Sequence, residues 1–325
     1  MHTIEYIQNL IEESISNQKF DGYPPRLYEP IHYTMSQGGK RLRPSLMLLA
    51  CEVFAGDIQK ALYPSIGMEV FHNFTLVHDD IMDQAPLRRN RETVYKKWDT
   101  NLAILSGDTM FAMAYDFLLK TDAELLPLIL PVFNRTAIEV CEGQQLDMEF
   151  ENQKDTGISD YMEMIRLKTG VLLAASLKTG ALIGGASAAE ADGLYNYGIK
   201  IGLAFQLMDD LLDVFADESR FGKVSGNDII TNKKTFLYLT AYKMANDEQK
   251  KALDTHFSPI NSQDSNQKIE AVKSLYLQIG VREQTISAMD ALYQEAKEIL
   301  AALNLSNESK SELIRFSEIL MVRKY

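Results

Sequence analysis

The stretch Tyr63–Met82, YPSIGMEVFHNFTLVHDDIM, decides the fold class. It is largely apolar, shows no strict alternation, and has Pro64 only at its front. An apolar run of this length reads as one long buried helix, not a strand. At 3.6 residues per turn, Asp79 and Asp83 at its end share one face.

Outward from there the same period recurs. Ile4, Ile7, Ile11 and Ile15 lie three or four apart and predict an amphipathic helix over Ile4–Ser16. Asp21-Gly-Tyr-Pro-Pro25 is a loop. Leu27–Ser36 is helical until Gln37-Gly38-Gly39 breaks it. Pro44 sits where a first helical turn can begin, and Ser45–Phe54 continues it. Pro86 and the basic run Arg88–Arg91 close the Tyr63–Met82 helix. Thr100–Lys120, Leu125–Phe150, Tyr161–Gly185 and Leu194–Phe215 are predicted long helices. Arg220–Lys234 is a loop, and the chain beyond Thr235 is helical again. Its polar break at Pro259–Asn266 is the expected mobile loop. With only 9 prolines in 325 residues, and little strand-like patterning, the chain reads as all-α. No linker or solenoid repeat divides it, so one domain spanning 1–325 is expected.

Composition narrows the function. Hydrophobic residues are 46% and charged residues 24%, which excludes a disordered chain. A net charge of −12 argues against a general nucleic-acid binder. Cys51 and Cys141 are too few for a disulfide framework and fit a reducing compartment. The acidic N-terminus does not resemble an export signal, and no run reaches the ~18 apolar residues of a spanning helix. A soluble cytoplasmic protein without stable membrane insertion is expected.

Two clusters carry the chemistry: Asp79-Asp80-Ile-Met-Asp83 and Asp209-Asp210-Leu-Leu-Asp213, with Asp217 four residues further on. Asp209, Asp213 and Asp217 share one helical face, and Gln206 joins them at the preceding turn. Carboxylates stacked in apolar surroundings repel one another and resist desolvation. A hard divalent cation is their natural partner, and Mg²⁺ commonly adds phosphate oxygens to one or two carboxylates. Basic groups supply the rest: Lys40, Arg41 and Arg43 beside Gly38-Gly39, Arg88 and Arg89 after the first cluster, Lys168 before Gly170, and Lys223 and Lys233 around Asp228. They suggest two anionic groups, one clamped through metal and one held directly. His72 shares a helical face with Asp79 and is assigned to a diphosphate. His78 is read as structural, Arg91 and Lys234 as surface charges, and Gly184-Gly185 as close packing. Phosphate-binding glycine loops, nucleophile elbows and zinc spacings do not occur.

These residues resemble the trans-isoprenyl diphosphate synthases. The markers are Gly38-Gly-Lys-Arg-Leu-Arg-Pro44, His78-Asp79-Asp80-Ile-Met-Asp83, Leu87-Arg88-Arg89, Asn101–Asp108, Gly143-Gln144-Gln-Leu-Asp147, Lys168-Thr169 and Gln206-Leu-Met-Asp209-Asp210-Leu-Leu-Asp213. The resemblance runs from about Gly38 to Lys233. It implies long helices around a deep central cavity, usually in a homodimer. It implies that Asp79, Asp83 and Asp209 bind three Mg²⁺ ions, with Asp80, Asp210 and Asp213 in or near the metal shell. Arg88, Lys168, Gln206, Lys223 and Lys233 would serve the allylic diphosphate. Lys40, Arg43, His72 and Arg89 would hold isopentenyl diphosphate. Lys168, Thr169 and Gln206 would face the developing carbocation, and Gln144 and Asp147 would complete the wall.

The implied reaction is ionisation, condensation and elimination, with the departed pyrophosphate removing the final proton. Asn90 stands where the family often has Gly, and its tolerance of the left-handed region should preserve the turn. The tail Arg323-Lys324-Tyr325 only partly matches and is left out of the site. Phe74 and Thr75, five and four residues before Asp79, would floor the product tunnel, with C20 slightly favoured over C15. A class I terpene cyclase is the alternative enzyme, but it needs no isopentenyl site. A silent regulatory subunit is the other alternative, but such subunits typically lose an acidic cluster.

Overall fold

The computed structural model describes residues 1–153, 155–216, 226–258 and 264–321. They form two compact units, each assembled from separated segments. The first comprises Met1–Arg135, Ala175–Tyr195 and Asn304–Ser309. The second comprises Thr136–Ala174, Asn196–Leu303 and the chain from Lys310.

The first unit opens with α1 (Ile4–Ser16), capped by Thr3, whose side chain accepts from the Tyr6 N–H. All four predicted isoleucines are buried. Next come α2 (Pro25–Met35), α3 (Leu42–Val53) and α4 (Ile58–Met82). α4 starts earlier than the sequence reading placed it, because Asp57 accepts from the Gln59 N–H and caps it. It buries residues on every side, including Ile66, Met68, Val70 and Phe71, which is why it lacks an amphipathic stripe. α6 (Thr100–Leu118) lies against it so closely that a Cβ on Gly67 would fall 2.8 Å from the Ala114 carbonyl. Between them stand a two-strand hairpin, β1 (Leu87–Arg88) with β2 (Arg91–Glu92), and α5 (Val94–Lys97). The hairpin is the one strand pairing among the described residues.

α7 (Leu126–Asn152), α8 (Ile158–Ile165), α9 (Val171–Ile183) and α10 (Ala188–Phe215) come next. The predicted continuous helix Tyr161–Gly185 is interrupted: Arg166–Gly170 is a π-helical turn. α10 begins before Leu194 because Ser187 and Glu190 cap it reciprocally. The predicted loop before Lys234 contains a short helix, α11 (Asn227–Ile230). The remainder is α12 (Phe236–Met244), α13 (Asp247–His256), α14 (Ser265–Ile279), α15 (Val281–Ala302) and α16 (Asn307–Met321). Leu207, Leu211, Leu237, Leu253, Val272 and Tyr276 centre the core of the second unit. Asp217, Lys223, the 259–263 part of the expected mobile loop and the 323–325 tail lie outside the described residues. No helix among the described residues is long and apolar enough to cross a membrane.

Candidate active site

The candidate residues fall into two groups, one in each unit. In the first unit, α4 delivers Asp79, Asp80 and Asp83 at its C-terminal end, where the Asp83 N–H donates to the Asp79 carbonyl at 2.8 Å. Asp80 points inward and is buried. Arg88 Nε donates to Asp80 Oδ1 at 2.7 Å, and its Nη2 reaches Asp79 Oδ2 at 3.4 Å. Burial pushes the Asp80 carboxyl up to about 6 against the pull of Arg88.

The hairpin aims the arginines. Arg89 and Asn90 both lie in the left-handed region (φ +52° and +61°), as a two-residue hairpin turn between right-twisted strands demands. Asn90 therefore performs the turn expected of it. Arg89 Nη1 donates to the Gly38 carbonyl, and a Cβ on Gly39 would meet its guanidinium at 3.0 Å. The two basic motifs of the sequence thus meet.

Arg41, between Lys40 and Arg43, is buried. It donates to Glu69 Oε1 and Glu12 Oε2, both at 2.8 Å, and to the Met35 carbonyl at 3.0 Å. This anchors the segment that presents Lys40 and Arg43. Burial, with the guanidinium charges of Arg43, Arg89, Arg88 and Arg41, pushes the His72 imidazole well below its ordinary value. His72 is therefore neutral at pH 7, in a strongly positive neighbourhood suited to an anion.

Phe74 sits in an aromatic cluster, its ring 5.5 Å from Phe71, 5.3 Å from Phe111 and 4.8 Å from His78. The Thr75 hydroxyl donates to the His72 carbonyl at 2.8 Å. His78 Nε2 lies 3.2 Å from the Ile104 carbonyl, in keeping with a structural role. Gly184 is a close-packing glycine, since a Cβ there would fall 2.5 Å from the Cys51 carbonyl.

In the second unit the π-turn places Lys168 and Thr169. Winding five residues between bonded groups adds a residue to the helix and re-aims the side chains. α7 passes so near that a Cβ on Gly143 would fall 2.4 Å from the Lys168 nitrogen, so glycine is required there. Lys168 Nζ donates to Asp147 Oδ2 at 2.6 Å. Thr169 Oγ1 donates to Gln206 Oε1 at 3.1 Å, and Gln206 Nε2 donates to Asp210 Oδ1 at 3.1 Å. Tyr161 donates to Asp210 Oδ2 at 2.5 Å. Burial pushes the Asp210 carboxyl up to about 6, opposed by its bonds from Tyr161 and Gln206.

These groups border a cavity that opens to solvent. Its lining includes the polar Asp147, Lys168, Thr169, Gln206, Asp210 and Lys233 and the apolar Phe150, Met164 and Ile165. Gln144 is not among the lining residues. The lining residues that the sequence reading does not single out as site groups include Tyr161, Asp228 and Lys234. Asp228 is pushed up to about 8 by burial and by the Asp213 and Asp210 carboxylates, and its N–H donates to Asp213 Oδ2 at 3.0 Å. Lys234 is not a plain surface charge: its Nζ donates to the Phe150 carbonyl at 2.9 Å and to the Gln153 carbonyl, closing the end of α7. Arg91 is exposed, its guanidinium 5.1 Å from the Tyr33 ring centre.

Among the described residues no three His, Cys, Asp or Glu side chains form a ready-made metal cage. In the first unit Asp79 is half-buried and Asp83 exposed, and in the second Asp209 is half-buried. Carboxylate oxygens of this kind suit Mg²⁺, which retains waters and takes substrate phosphate oxygens.

The family model for polyprenyl synthetase matches residues 24–276. Geranylgeranyl diphosphate synthase of Methanosarcina mazei is 43% identical over 222 residues, 68% of each chain. A crystal structure of geranylgeranyl pyrophosphate synthase superposes with a TM-score of 0.95 at 42% identity, covering 100% of both chains. Another, from Corynebacterium glutamicum complexed with isoprenyl diphosphate and magnesium, gives 0.86 at 25% identity, over 99% of this chain and 98% of that one. With this fold and these motifs, the chain belongs to the polyprenyl synthetase family and is a trans-isoprenyl diphosphate synthase, a trans-prenyltransferase.

Proposed function

We propose that the protein condenses isopentenyl diphosphate head-to-tail with an allylic diphosphate, in a Mg²⁺-dependent reaction, and releases a C20 all-trans prenyl diphosphate. The observation that carries this reading is the cavity lined by Lys168 and Lys233, by the hydrogen-bonded Thr169–Gln206–Asp210 chain and by the apolar Phe150, Met164 and Ile165. The cations suit a diphosphate, and the apolar lining suits a prenyl chain. The C20 length rests on the names of the similar proteins and on Phe74 as a bulky floor.

Asp79, Asp83 and Asp209 would hold the Mg²⁺ ions, three being expected, with Asp213 close to them. When bound, the metal supplies charge neutralisation to the departing diphosphate. Arg88, Lys168 and Lys233 bind the allylic diphosphate, and Lys223 is assigned the same task. Asp80 orients Arg88 through its 2.7 Å bond, and Asp147 orients Lys168. Lys40, Arg43, Arg89 and neutral His72 bind isopentenyl diphosphate. The Thr169 hydroxyl and the Gln206 carbonyl present lone pairs to the allylic cation, as preorganised dipoles. Apolar lining residues exclude the water that would quench it. The whole chain acts as one synthase domain. A homodimer is proposed, supported by exposed Ile104 and Leu105 on α6.

The test is a product assay. Purified protein with Mg²⁺ and labelled isopentenyl diphosphate receives C5, C10 or C15 allylic diphosphate, and dephosphorylated products are sized by chromatography. Elongation stopping at C20 is expected. Alcohol or hydrocarbon released from the allylic diphosphate alone, without isopentenyl incorporation, refutes the synthase reading and points to a cyclase.

A further inference from the structure

The segment 226–235 brings Asp228 and Lys233 to the cavity, yet has little regular structure of its own. It holds one four-residue helix, α11, between two left-handed residues, Gly226 (φ +85°) and Asn232 (φ +59°). A single helical turn does not hold its shape unaided. The segment rests instead on α14. A Cβ on Gly226 would fall 2.7 Å from Ile269 Cγ1, so backbone and helix touch there.

The neighbouring residue on α14 is Lys268, which is only 7% exposed. Its Nζ donates to the Ile229 carbonyl and to Asn232 Oδ1, both at 2.6 Å, and lies 3.4 Å from the Ile230 carbonyl. The Phe257 ring lies on another side, 5.3 Å away. All three donors of the ammonium are thereby directed into one turn. The Lys233 N–H donates to the Asp228 carbonyl at 2.9 Å. Residues 228 and 233 thus close a loop, and Lys268 reaches its carbonyls and its left-handed asparagine. Burying a lysine is unfavourable unless its charge is matched, and here carbonyl dipoles and one amide oxygen do so.

We propose that Lys268 is a positioning residue for diphosphate binding: it fixes the 229–232 turn and so sets where Asp228 and Lys233 stand at the cavity. The inference rests on the reading of Lys233 as a ligand of the allylic diphosphate. It assigns Asn232 a share of the same task, through its side-chain oxygen as well as its left-handed backbone.

The experiment compares Lys268→Met, Asn232→Gly, Asn232→Asp and Lys233→Ala with wild type. Calorimetry measures binding of inorganic pyrophosphate with Mg²⁺, and separately of isopentenyl diphosphate. Lys268→Met keeps the packing and loses the donors. Asn232→Gly keeps the left-handed backbone and loses the acceptor, while Asn232→Asp retains an acceptor. Lys268→Met and Asn232→Gly should each weaken pyrophosphate binding by about tenfold, the scale of one lost charge-assisted bond. They should leave isopentenyl diphosphate binding unchanged, and Asn232→Asp should bind pyrophosphate like wild type. The double variant Lys268→Met/Asn232→Gly should be no weaker than Lys268→Met, because the Asn232 side chain holds the turn through its bond from Lys268. If Lys233→Ala weakens pyrophosphate binding but Lys268→Met and Asn232→Gly do not, the positioning role is refuted and the ligand reading stands. If both ligands weaken together, Lys268 is merely structural and the inference is overturned. If Lys233→Ala binds pyrophosphate normally, the ligand reading and the inference fall together.

Discussion

Tyr161→Phe removes one oxygen atom from the cavity wall and leaves its shape. In the wild type that hydroxyl donates to Asp210 Oδ2 at 2.5 Å, while Gln206 serves the other oxygen at 3.1 Å. Burial already holds the Asp210 carboxyl up at about 6 against these two bonds. A hydrogen bond to a buried charged group is worth about 1.5–3 kcal/mol. One pKa unit corresponds to about 1.4 kcal/mol, so the loss raises Asp210 by roughly one to two units, to about 7–8. The ionised form of a carboxyl group is present above its pKa and is lost as pH falls through it. At pH 7 the group is then about nine-tenths ionised in the wild type and half or less in the variant. The assay is kcat/KM for the allylic substrate between pH 5 and pH 9. Wild type should lose activity as pH falls through about 6, and Tyr161→Phe should lose it roughly one to two units higher with its alkaline plateau retained. An acid limb at an unchanged pH, or an equal loss at every pH, would refute the argument.

Arg41→Met strands the Glu69 carboxylate, whose side chain is 3% exposed, and should cost about 3–5 kcal/mol in urea unfolding while weakening isopentenyl diphosphate binding. A loss below about 1 kcal/mol would place Arg41 among weakly coupled surface pairs. Gly143→Ala puts a methyl group 2.4 Å from the Lys168 nitrogen. It should leave helicity near normal by circular dichroism and lower turnover by about tenfold or more, since small misplacements at a reacting centre are expensive; normal turnover would mean that the π-turn adjusts freely. Phe74→Ala opens the aromatic cluster and should lengthen the product, as read by mass spectrometry; an unchanged distribution puts the tunnel floor elsewhere.

The parts of the fold legible in the sequence are those written in local periodicity. The isoleucine ladder of α1 and the apolar run of α4 are one-dimensional patterns, and both helices form there. Asn90 was readable because a left-handed turn has its own residue preference. The start of α10 was also readable in Ser187-Ala-Ala-Glu190, a reciprocal cap that the hydrophobic pattern overshadowed. The π-turn was not, because bonding to the fifth residue leaves no compositional mark. Site residues found from sequence belong to dense local clusters. Those missed depend on partners far along the chain: Tyr161 on Asp210, 49 positions away, and Lys268 on Ile229, 39 away. Lys234 read as a surface charge because its carbonyl partner, Phe150, lies 84 positions earlier.

The π-turn also makes the cavity wall depend on the number of residues as well as their kind. Deleting any one residue of Arg166–Gly170 would let the ladder close as an ordinary α-helix, with α8 and α9 still in line but the side chains of the turn itself re-aimed. Lys168 would swing from Asp147, or Thr169 from Gln206, with almost every side chain still present. A scan of substitutions probes the letters of this stretch, whereas a one-residue deletion probes its length. Among descendants of such a chain, drift in the letters can be compensated by neighbours, but a changed count abolishes the bulge itself. Conserved length between Tyr161 and Gly170 is therefore a sharper sign of retained chemistry than identity at any single position within it.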